Sequence, residues 1–374
     1  MENPKQKLYS FLSPWFKVIE NPEQAQQATL GKLLEIYAQS EYGHQRKCET
    51  IRTLSKFQDA FPIMTHRDFQ PYFERVKQGE YSVLLPDLPI AWAMTRGTTG
   101  QSKYIPVTQK DLEERAITSP RGLLTCVYKH DRFDILKGYC LNLNFPSVLG
   151  YFQTDDGTQI PYGYSSGLYA RLNADRTNIL LVPTQEEIDD IGGGLSTEQW
   201  HRRFDLAYEK ARDKHVTMMI GVTQIMLQFG KYLKQKIGKY PKQIWDIKLL
   251  GCTSIAGIQT RYRPALTGLF GDVIINEIYG ATEGIFAQQF DEKPFVVPNY
   301  DFHLYEVEVK GELKLLHQMS RGEIGNLIVS TQLLPRYRIG DVIKCFGGTY
   351  YRCIGREATF SRLRYEIGRV FGYA

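Results

Sequence analysis

The feature that most constrains the fold is a regular alternation of strand-like and helix-like patterns in the second half of the chain. Apolar runs typical of buried strands occupy residues 216–220, 247–250 and 273–278. Residues 224–233 and 259–269, which lie between these runs, have helical periodicity. Consecutive strands joined by single helices pair in parallel through right-handed crossovers. We therefore predict an α/β fold with doubly wound, mostly parallel sheets.

Three loops follow the predicted parallel strands, at residues 221–223, 251–254 and 279–284. Each loop contains glycine and at least one hydroxyl side chain. Ligands of doubly wound proteins bind at the carboxyl ends of the parallel strands. The three loops are therefore expected to meet at one edge of the sheet and to form a ligand site.

Residues 95–103, with the sequence TRGTTGQSK, are rich in groups that bind phosphate. Glycine allows an anion to approach the backbone N–H groups closely. The hydroxyls of Thr95, Thr98 and Thr99 add donors, and Lys103 adds a mobile positive charge. The nucleotide-triphosphatase P-loop has its lysine directly after a glycine, a spacing that is absent here. We therefore expect this loop to hold polyphosphate in a different way.

The segments that flank the alternating region have other patterns. Asn21 and Pro22 are expected to open the first helix, and Pro71 is expected to confine a later helix to the residues after it. A single helix is predicted over residues 110–123. After residue 290, short strand patterns are separated by glycine turns without helices, which predicts a small antiparallel sheet.

Composition excludes several other classes of protein. A net charge of +5 over 374 residues is mild, and it does not indicate a nucleic-acid partner. The six scattered cysteines form no C-x-x-C pair, so we expect reduced thiols in a cytoplasmic protein rather than disulfides or a zinc site. The N-terminus is polar, so we expect no signal peptide. The sequence contains no run of about 18 apolar residues, so we expect no membrane span.

Several motifs occur in a specific order. The loop at residues 95–103 comes first, and IYGATE at 278–283 follows a predicted strand. YRIGD at 337–341 comes next, and Arg356 lies fifteen positions after its last residue, Asp341. This order resembles the adenylate-forming superfamily of acyl-CoA synthetases, adenylation domains and luciferases. Within it, YRIGDVI, the helical N-terminal segment and residues 30–106 are most similar to the GH3 family of acyl-acid amido synthetases.

The resemblance implies a fold and a reaction. The chain would form the large N-terminal domain of the superfamily. ATP and Mg²⁺ would be required, and a carboxylic acid would be activated as acyl-AMP with release of pyrophosphate. An amine or a thiol would then take the acyl group, and the similarity to the GH3 family favours an amine.

The resemblance also implies roles for individual residues. Catalytic roles fall on Lys103, Thr282, Glu283 and Arg356, with Glu283 as the Mg²⁺ ligand. Contacts with ATP fall on Thr95, Arg96, Thr98, Thr99, Gly100, Ser254, Tyr279, Gly280, Ala281 and Asp341. Substrate contacts fall on Gly221, Val222, Thr223 and Cys252. In this scheme Tyr279 lines adenine, Thr282 reaches the α-phosphate, and Asp341 accepts the ribose hydroxyls.

The sequence departs from the family pattern in two places. Arg96 stands where the family usually has Ser or Thr, and its guanidinium either strengthens ATP binding or pairs with an acidic residue. Little sequence follows Arg356, where the family carries a C-terminal lid domain, so the lid is expected on a separate protein, or in a longer form of the chain, or not at all. The expected divisions are a helical segment at 1–86, an α/β core at 87–290, a small β subdomain at 291–354 and a hinge region without its lid at 355–374.

Two alternative functions remain open. One is an acyl-CoA ligase of the phenylacetate type, which shares the adenylation step and differs in the acceptor. The other is a catalytically reduced nucleotide-binding module. The presence of Lys103, Glu283 and Asp341 argues against loss of catalysis.

Overall fold

The computed structural model describes residues 3–95 and 102–370, without the side chains of residues 369 and 370. Its helices are α1 (Pro4–Glu20), α2 (Pro22–Tyr37), α3 (Glu41–Gln45), α4 (Leu54–Ala60), α5 (His66–Gln78), α6 (Gln109–Thr118), α7 (Arg121–His130), α8 (Ser165–Leu172), α9 (Gln185–Asp189), α10 (Thr197–Ala211), α11 (Thr223–Ile237), α12 (Arg263–Phe270) and α13 (Ser361–Val370). Its strands are β1 (Ala91–Met94), β2 (Tyr104–Val107), β3 (Tyr139–Leu141), β4 (Gly150–Gln153), β5 (Gln159–Tyr164), β6 (Leu181–Val182), β7 (Val216–Val222), β8 (Leu249–Thr253), β9 (Ile274–Ala281), β10 (Gly284–Gln289), β11 (Val296–Pro298), β12 (Leu304–Val309), β13 (Glu312–Leu315), β14 (Ile324–Ser330), β15 (Tyr337–Gly347) and β16 (Tyr350–Arg356).

The central sheet of the described residues has twelve strands in the order β13-β12-β14-β15-β16-β11-β10-β9-β8-β7-β3-β6. The strands from β9 to β6 pair in parallel. Helices α10, α11 and α12 cover one face of this parallel part, and α7 covers the other. The predicted α/β class and the parallel pairing are therefore confirmed.

The antiparallel strands expected after residue 290 are present, but they belong to the same sheet. β10 pairs with both β9 and β11, and β11 pairs with β16 through Val296 and Tyr351. A second sheet of four strands has the order β2-β1-β5-β4. Strands β1 and β2 hold the two ends of the 95–103 loop. The predicted division of the chain into four segments stays a prediction.

The N-terminal helices pack mainly on the antiparallel part of the central sheet. The indole N–H of Trp15 donates to the carbonyl of Pro298 (3.0 Å), and the guanidinium of Arg336 donates to the carbonyl of Phe61 (2.7 Å). Phe57 and Phe69 have no exposed surface and lie in the same apolar core as the antiparallel strands. The sequence predicted helices here but not which half of the sheet they cover.

Three helix predictions differ from the structure. The helix predicted to open at Asn21 and Pro22 is present as α2, but it is the second helix, because α1 precedes it from Pro4. Helix α5 runs through Pro71 because a capping box of Thr65 and Asp68 and buried aromatic side chains on both sides of the proline hold it together. The helix predicted over 110–123 is two helices, α6 and α7, separated at Pro120.

Candidate functional site

A cleft of about 1080 Å³ opens at the carboxyl ends of β7, β8 and β9. Its lining includes most of the described residues for which the sequence predicted a role in ligand binding or catalysis. They are Thr95, Lys103, Gly221, Val222, Ser254, Tyr279, Gly280, Ala281, Thr282, Glu283, Asp341 and Arg356. The cleft therefore brings together groups that are up to 261 positions apart, from Thr95 to Arg356.

The two ends of the glycine-rich loop are joined at the cleft. The backbone N–H of Thr95 donates to the carbonyl of Lys103, and the N–H of Lys103 donates back to the Thr95 hydroxyl, both at 2.9 Å. Burial, and then the charge of Lys103, lower the pKa of His66 beside it. The predicted ligands Arg96, Thr98, Thr99 and Gly100 lie outside the described residues, so their roles stay predictions.

Thr282 and Glu283 form the turn between β9 and β10, and both are buried (7% and 6% exposed). Arg115 holds this turn in place, because its Nη2 donates to the carbonyl of Thr282 (2.7 Å). Arg115 is itself paired with Asp111 on the preceding turn of α6 (3.0 Å). An ion pair with almost no solvent contact therefore fixes the backbone of this turn.

The carboxylate of Glu283 shares its surroundings with Tyr337 and Arg356. Burial, and then the negative charge of Glu283, raise the pKa of Tyr337 well above its usual value. Among the described residues, no group of three or more carboxylate, histidine or cysteine side chains is placed to hold a metal ion. Glu283 is thus a carboxylate that faces the cleft beside a phenol and a guanidinium.

Asp341 joins Tyr279 to Arg356. The Tyr279 hydroxyl donates to Oδ2 of Asp341 (2.8 Å), and Nη1 of Arg356 donates to Oδ1 (2.6 Å). Nη2 of Arg356 also donates to the carbonyl of Ile339 (2.9 Å). Burial raises the pKa of Asp341, and Arg356 and Tyr279 oppose that shift. Each carboxylate oxygen accepts more than one hydrogen bond, so the pair leaves acceptor capacity toward the cleft.

Two predicted substrate contacts are corrected by the structure. Thr223 has no exposed surface, and its hydroxyl donates to the carbonyl of Thr253 (2.9 Å). Cys252 is also fully buried, with its Sγ 3.9 Å from Sδ of Met226 under α11. Because the side chains alternate along β8, Cys252 points into the core rather than into the cleft. Gly221 and Val222, by contrast, do line the cleft.

Sequence reasoning missed several polar residues of the cleft, among them Arg115, Asn276 and Glu277. Burial raises the pKa of Glu277 to about 7, and the charge of Arg352 opposes this shift. Asn276 and Glu277 interrupt an otherwise apolar strand pattern. Buried polar groups in such a strand are uncommon and usually have a partner or a function, so the interruption was the signal that could have found them.

The comparison with protein families matches residues 15–186 to the family described as "GH3 family N-terminal domain". The resemblance to the GH3 family is confirmed. GH3-type relatives include the indole-3-acetic acid-amido synthetase GH3.8 of Oryza sativa subsp. indica, which is 26% identical over 87% of this chain and 64% of its own length. The jasmonoyl–L-amino acid synthetase JAR4 of Nicotiana attenuata is 29% identical over 35% of this chain.

Solved structures support the same fold. AtGH3.15 acyl acid amido synthetase in complex with 2,4-DB has a TM-score of 0.76 at 19% identity and covers 95% of this chain. A 2-hydroxyisobutyryl-CoA ligase in complex with 2-HIB-AMP has a TM-score of 0.58 at 12% identity, over 89% of this chain.

The GH3-like chain is shorter than these proteins. It spans 22% of JAR4 and 64% of GH3.8, and it covers 72% of the AtGH3.15 chain and 67% of the ligase chain. Within the part of the chain that the structure describes, every helix is too short or too polar to cross a membrane.

Proposed function

We propose that the chain activates a carboxylic acid with ATP as acyl-AMP and then transfers the acyl group to an amine. The observation that carries this proposal is the meeting of the 95–103 loop ends, the Thr282–Glu283 turn and the Tyr279–Asp341–Arg356 group at one cleft. Each of these groups suits one part of ATP. The names of the GH3 relatives, which are amido synthetases, support an amine as the acceptor.

In the first step, a carboxylate oxygen of the acid attacks the α-phosphorus of ATP. The bond from that phosphorus to the β-phosphate oxygen breaks, and pyrophosphate leaves with the electron pair. We propose that Lys103 and the 95–103 loop bind the leaving pyrophosphate, because preorganised donors stabilise negative charge as it develops. The Thr282 hydroxyl would donate to the α-phosphate.

The nucleoside would lie against Tyr279 and Asp341. The carboxylate of Asp341 keeps lone pairs for the ribose hydroxyls, and the bonds from Tyr279 and Arg356 hold it in one orientation. A fixed acceptor costs less conformational entropy on binding than a mobile one. Arg356, whose side chain is 47% exposed at the mouth of the cleft, is placed to contact ribose or phosphate.

The residues present fit a Mg²⁺ ion bound mainly through the nucleotide. Mg²⁺ is commonly held in phosphate-transfer sites by one or two carboxylates together with phosphate oxygens and water. Glu283 supplies one such carboxylate in the cleft. When bound, the ion would neutralise phosphate charge.

In the second step, the amine nitrogen attacks the acyl carbon of acyl-AMP. The bond from that carbon to the phosphate oxygen breaks, AMP leaves with the electron pair, and the new amide nitrogen loses a proton to solvent. Acyl-AMP hydrolyses in contact with water, so a covering domain or partner protein at the cleft mouth is part of this proposal.

The test of the proposal measures both half-reactions. Carboxylate-dependent exchange of labelled pyrophosphate into ATP reports the first. Incubation with ATP, an accepted acid and either an amino acid mixture or coenzyme A, followed by mass analysis, identifies the acceptor. An amide product supports the proposal, and a thioester without amide would replace it with an acyl-CoA ligase.

A further inference from the structure

The cleft continues from the proposed nucleotide site into an inner lobe between the parallel strands and helices α6 and α7. We define the inner lobe by Leu123, Cys140, Ile220, Leu249 and Ile278, together with Asn276. Four of the five apolar residues belong to, or pack against, the core cluster beneath α7. The inner lobe is therefore an apolar slot that opens into the site where acyl-AMP would form.

Asn276 is the polar exception in this slot. It is 5% exposed and lines the cleft, yet its Oδ1 has no hydrogen-bond partner. Its amide nitrogen likewise makes no hydrogen bond to any described residue. Buried polar groups are nearly always paired, and leaving one unpaired costs free energy. Oδ1 is enclosed beneath α7, whereas the amide nitrogen is not among the enclosed atoms. The amide nitrogen is thus the donor that a ligand in the lobe could use.

Two glycines flank the Asn276 side chain. Gly251 stands opposite Asn276 in the register between β8 and β9, where a side chain would extend toward the same lobe. On α7, a Cβ at Gly122 would lie 2.6 Å from Oδ1 of Asn276. Glycine at Gly251 therefore leaves room beside the amide within the lobe, and Gly122 lets α7 approach it closely.

We propose that Asn276 hydrogen-bonds a polar group in the acyl part of the acid substrate. The preferred acid would have an apolar body interrupted by one hydroxyl or carbonyl group, which can accept from the amide nitrogen. This inference rests on the proposed function. Asn276, Ile278 and Gly280 share one face of β9, so Asn276 lies about 13 Å along the strand from Gly280. The polar group of the acid therefore lies on the order of 10 Å from its carboxylate.

Pyrophosphate exchange with matched acids tests the inference. The probes are decanoate and the hydroxydecanoate and oxodecanoate isomers that carry their substituent in the distal half of the chain. We expect the best substituted acid to exceed decanoate by at least about tenfold in kcat/KM, because a site built to bond a polar group rejects the analogue that lacks it. Asn276→Leu, which replaces the amide with an apolar group of similar size, should bring this ratio to about one while exchange with decanoate persists. Tyr151→Phe, a change at a side chain that is 57% exposed and outside the lining of the cleft, should leave the preference intact.

The outcomes separate this inference from the proposed function. If decanoate supports exchange as well as every substituted isomer in the wild-type protein, Asn276 does not select a polar group, although acid activation stands. The same conclusion follows if the preference survives in Asn276→Leu. If neither these acids nor a wider panel of acids supports exchange while ATP still binds, the proposed function itself fails. The wild-type comparison decides the matter even if the Asn276→Leu protein does not fold.

Discussion

The hydroxyl of Tyr279 donates a hydrogen bond of 2.8 Å to Oδ2 of Asp341, which lies 62 positions further along the chain. The bond links the end of β9 in the parallel half of the sheet to β15 in the antiparallel half. The other oxygen of Asp341 is bound by Arg356. One carboxylate thus connects the two halves of the sheet at the mouth of the proposed nucleotide site.

Removal of the Tyr279 hydroxyl tests this link. Tyr279→Phe leaves one oxygen of a buried carboxylate without its donor, so we expect the free energy of unfolding to fall by about 1–2 kcal/mol. Because Asp341 also loses one constraint on its orientation, the KM for ATP should rise. Urea unfolding and exchange kinetics measure the two effects. Tyr151→Phe, at a site that is 57% exposed, is the matched control and should change neither. Unchanged stability and KM in Tyr279→Phe would show that the bond contributes nothing.

Glu277 makes stability depend on pH. Burial raises its pKa from 4.5 to about 7, so the folded protein binds a proton that the unfolded chain releases between these two pH values. The contribution of this group to stability is therefore present at low pH and is lost as the pH rises through about 7. Glu277→Gln removes the ionisable group. Relative to wild type, the variant should gain up to about 3 kcal/mol at pH 8, with little difference near pH 4.5.

The control for this pH dependence is Glu209→Gln, because the Glu209 side chain is exposed. Urea unfolding at a series of pH values should show no pH-dependent difference between this variant and wild type. A Glu277→Gln protein whose stability follows that of wild type at every pH would mean that Glu277 titrates normally.

Arg115, in the lining of the cleft, is predicted to hold the Thr282–Glu283 turn in place through its bond to the carbonyl of Thr282. Arg115→Met leaves the buried carboxylate of Asp111 with the Tyr169 hydroxyl but without its positive partner, and it frees the carbonyl of Thr282. We expect a loss of about 3–5 kcal/mol in unfolding free energy, and a fall in exchange rate at saturating ATP. Arg132→Met breaks a more exposed ion pair with Asp134 and should cost less than about 1 kcal/mol. Equal losses in the two variants would contradict a special role for the buried pair.

The sequence predicted the parallel half of the sheet and most of the described cleft residues because both depend on local signals. The strand and helix periods between residues 216 and 278 are local, and so are the turn residues that follow each strand. The order of Tyr279, Glu283, Asp341 and Arg356 carried the family resemblance.

The sequence did not predict features that depend on distant packing. One such feature is the pairing of β10 with both β9 and β11, which joins the antiparallel strands to the parallel ones. The sequence does not show which strand edges pair. Arg115 looked like one residue of an amphipathic helix, because its contact with Thr282 spans 167 positions. Cys252 was assigned to the cleft from its loop position, although the alternation of side chains along β8 turns it into the core.

The exchange of labelled pyrophosphate into ATP, with and without a panel of carboxylic acids, tests the central claim most directly. We predict acid-dependent exchange in the wild-type protein. Glu283→Gln should reduce it by at least about 100-fold, the usual cost of removing one group that stabilises developing charge, and the exposed control Glu209→Gln should retain it. ATP binding without exchange for any acid, unaffected by Glu283→Gln, would contradict acid activation and favour a nucleotide-binding module without catalysis.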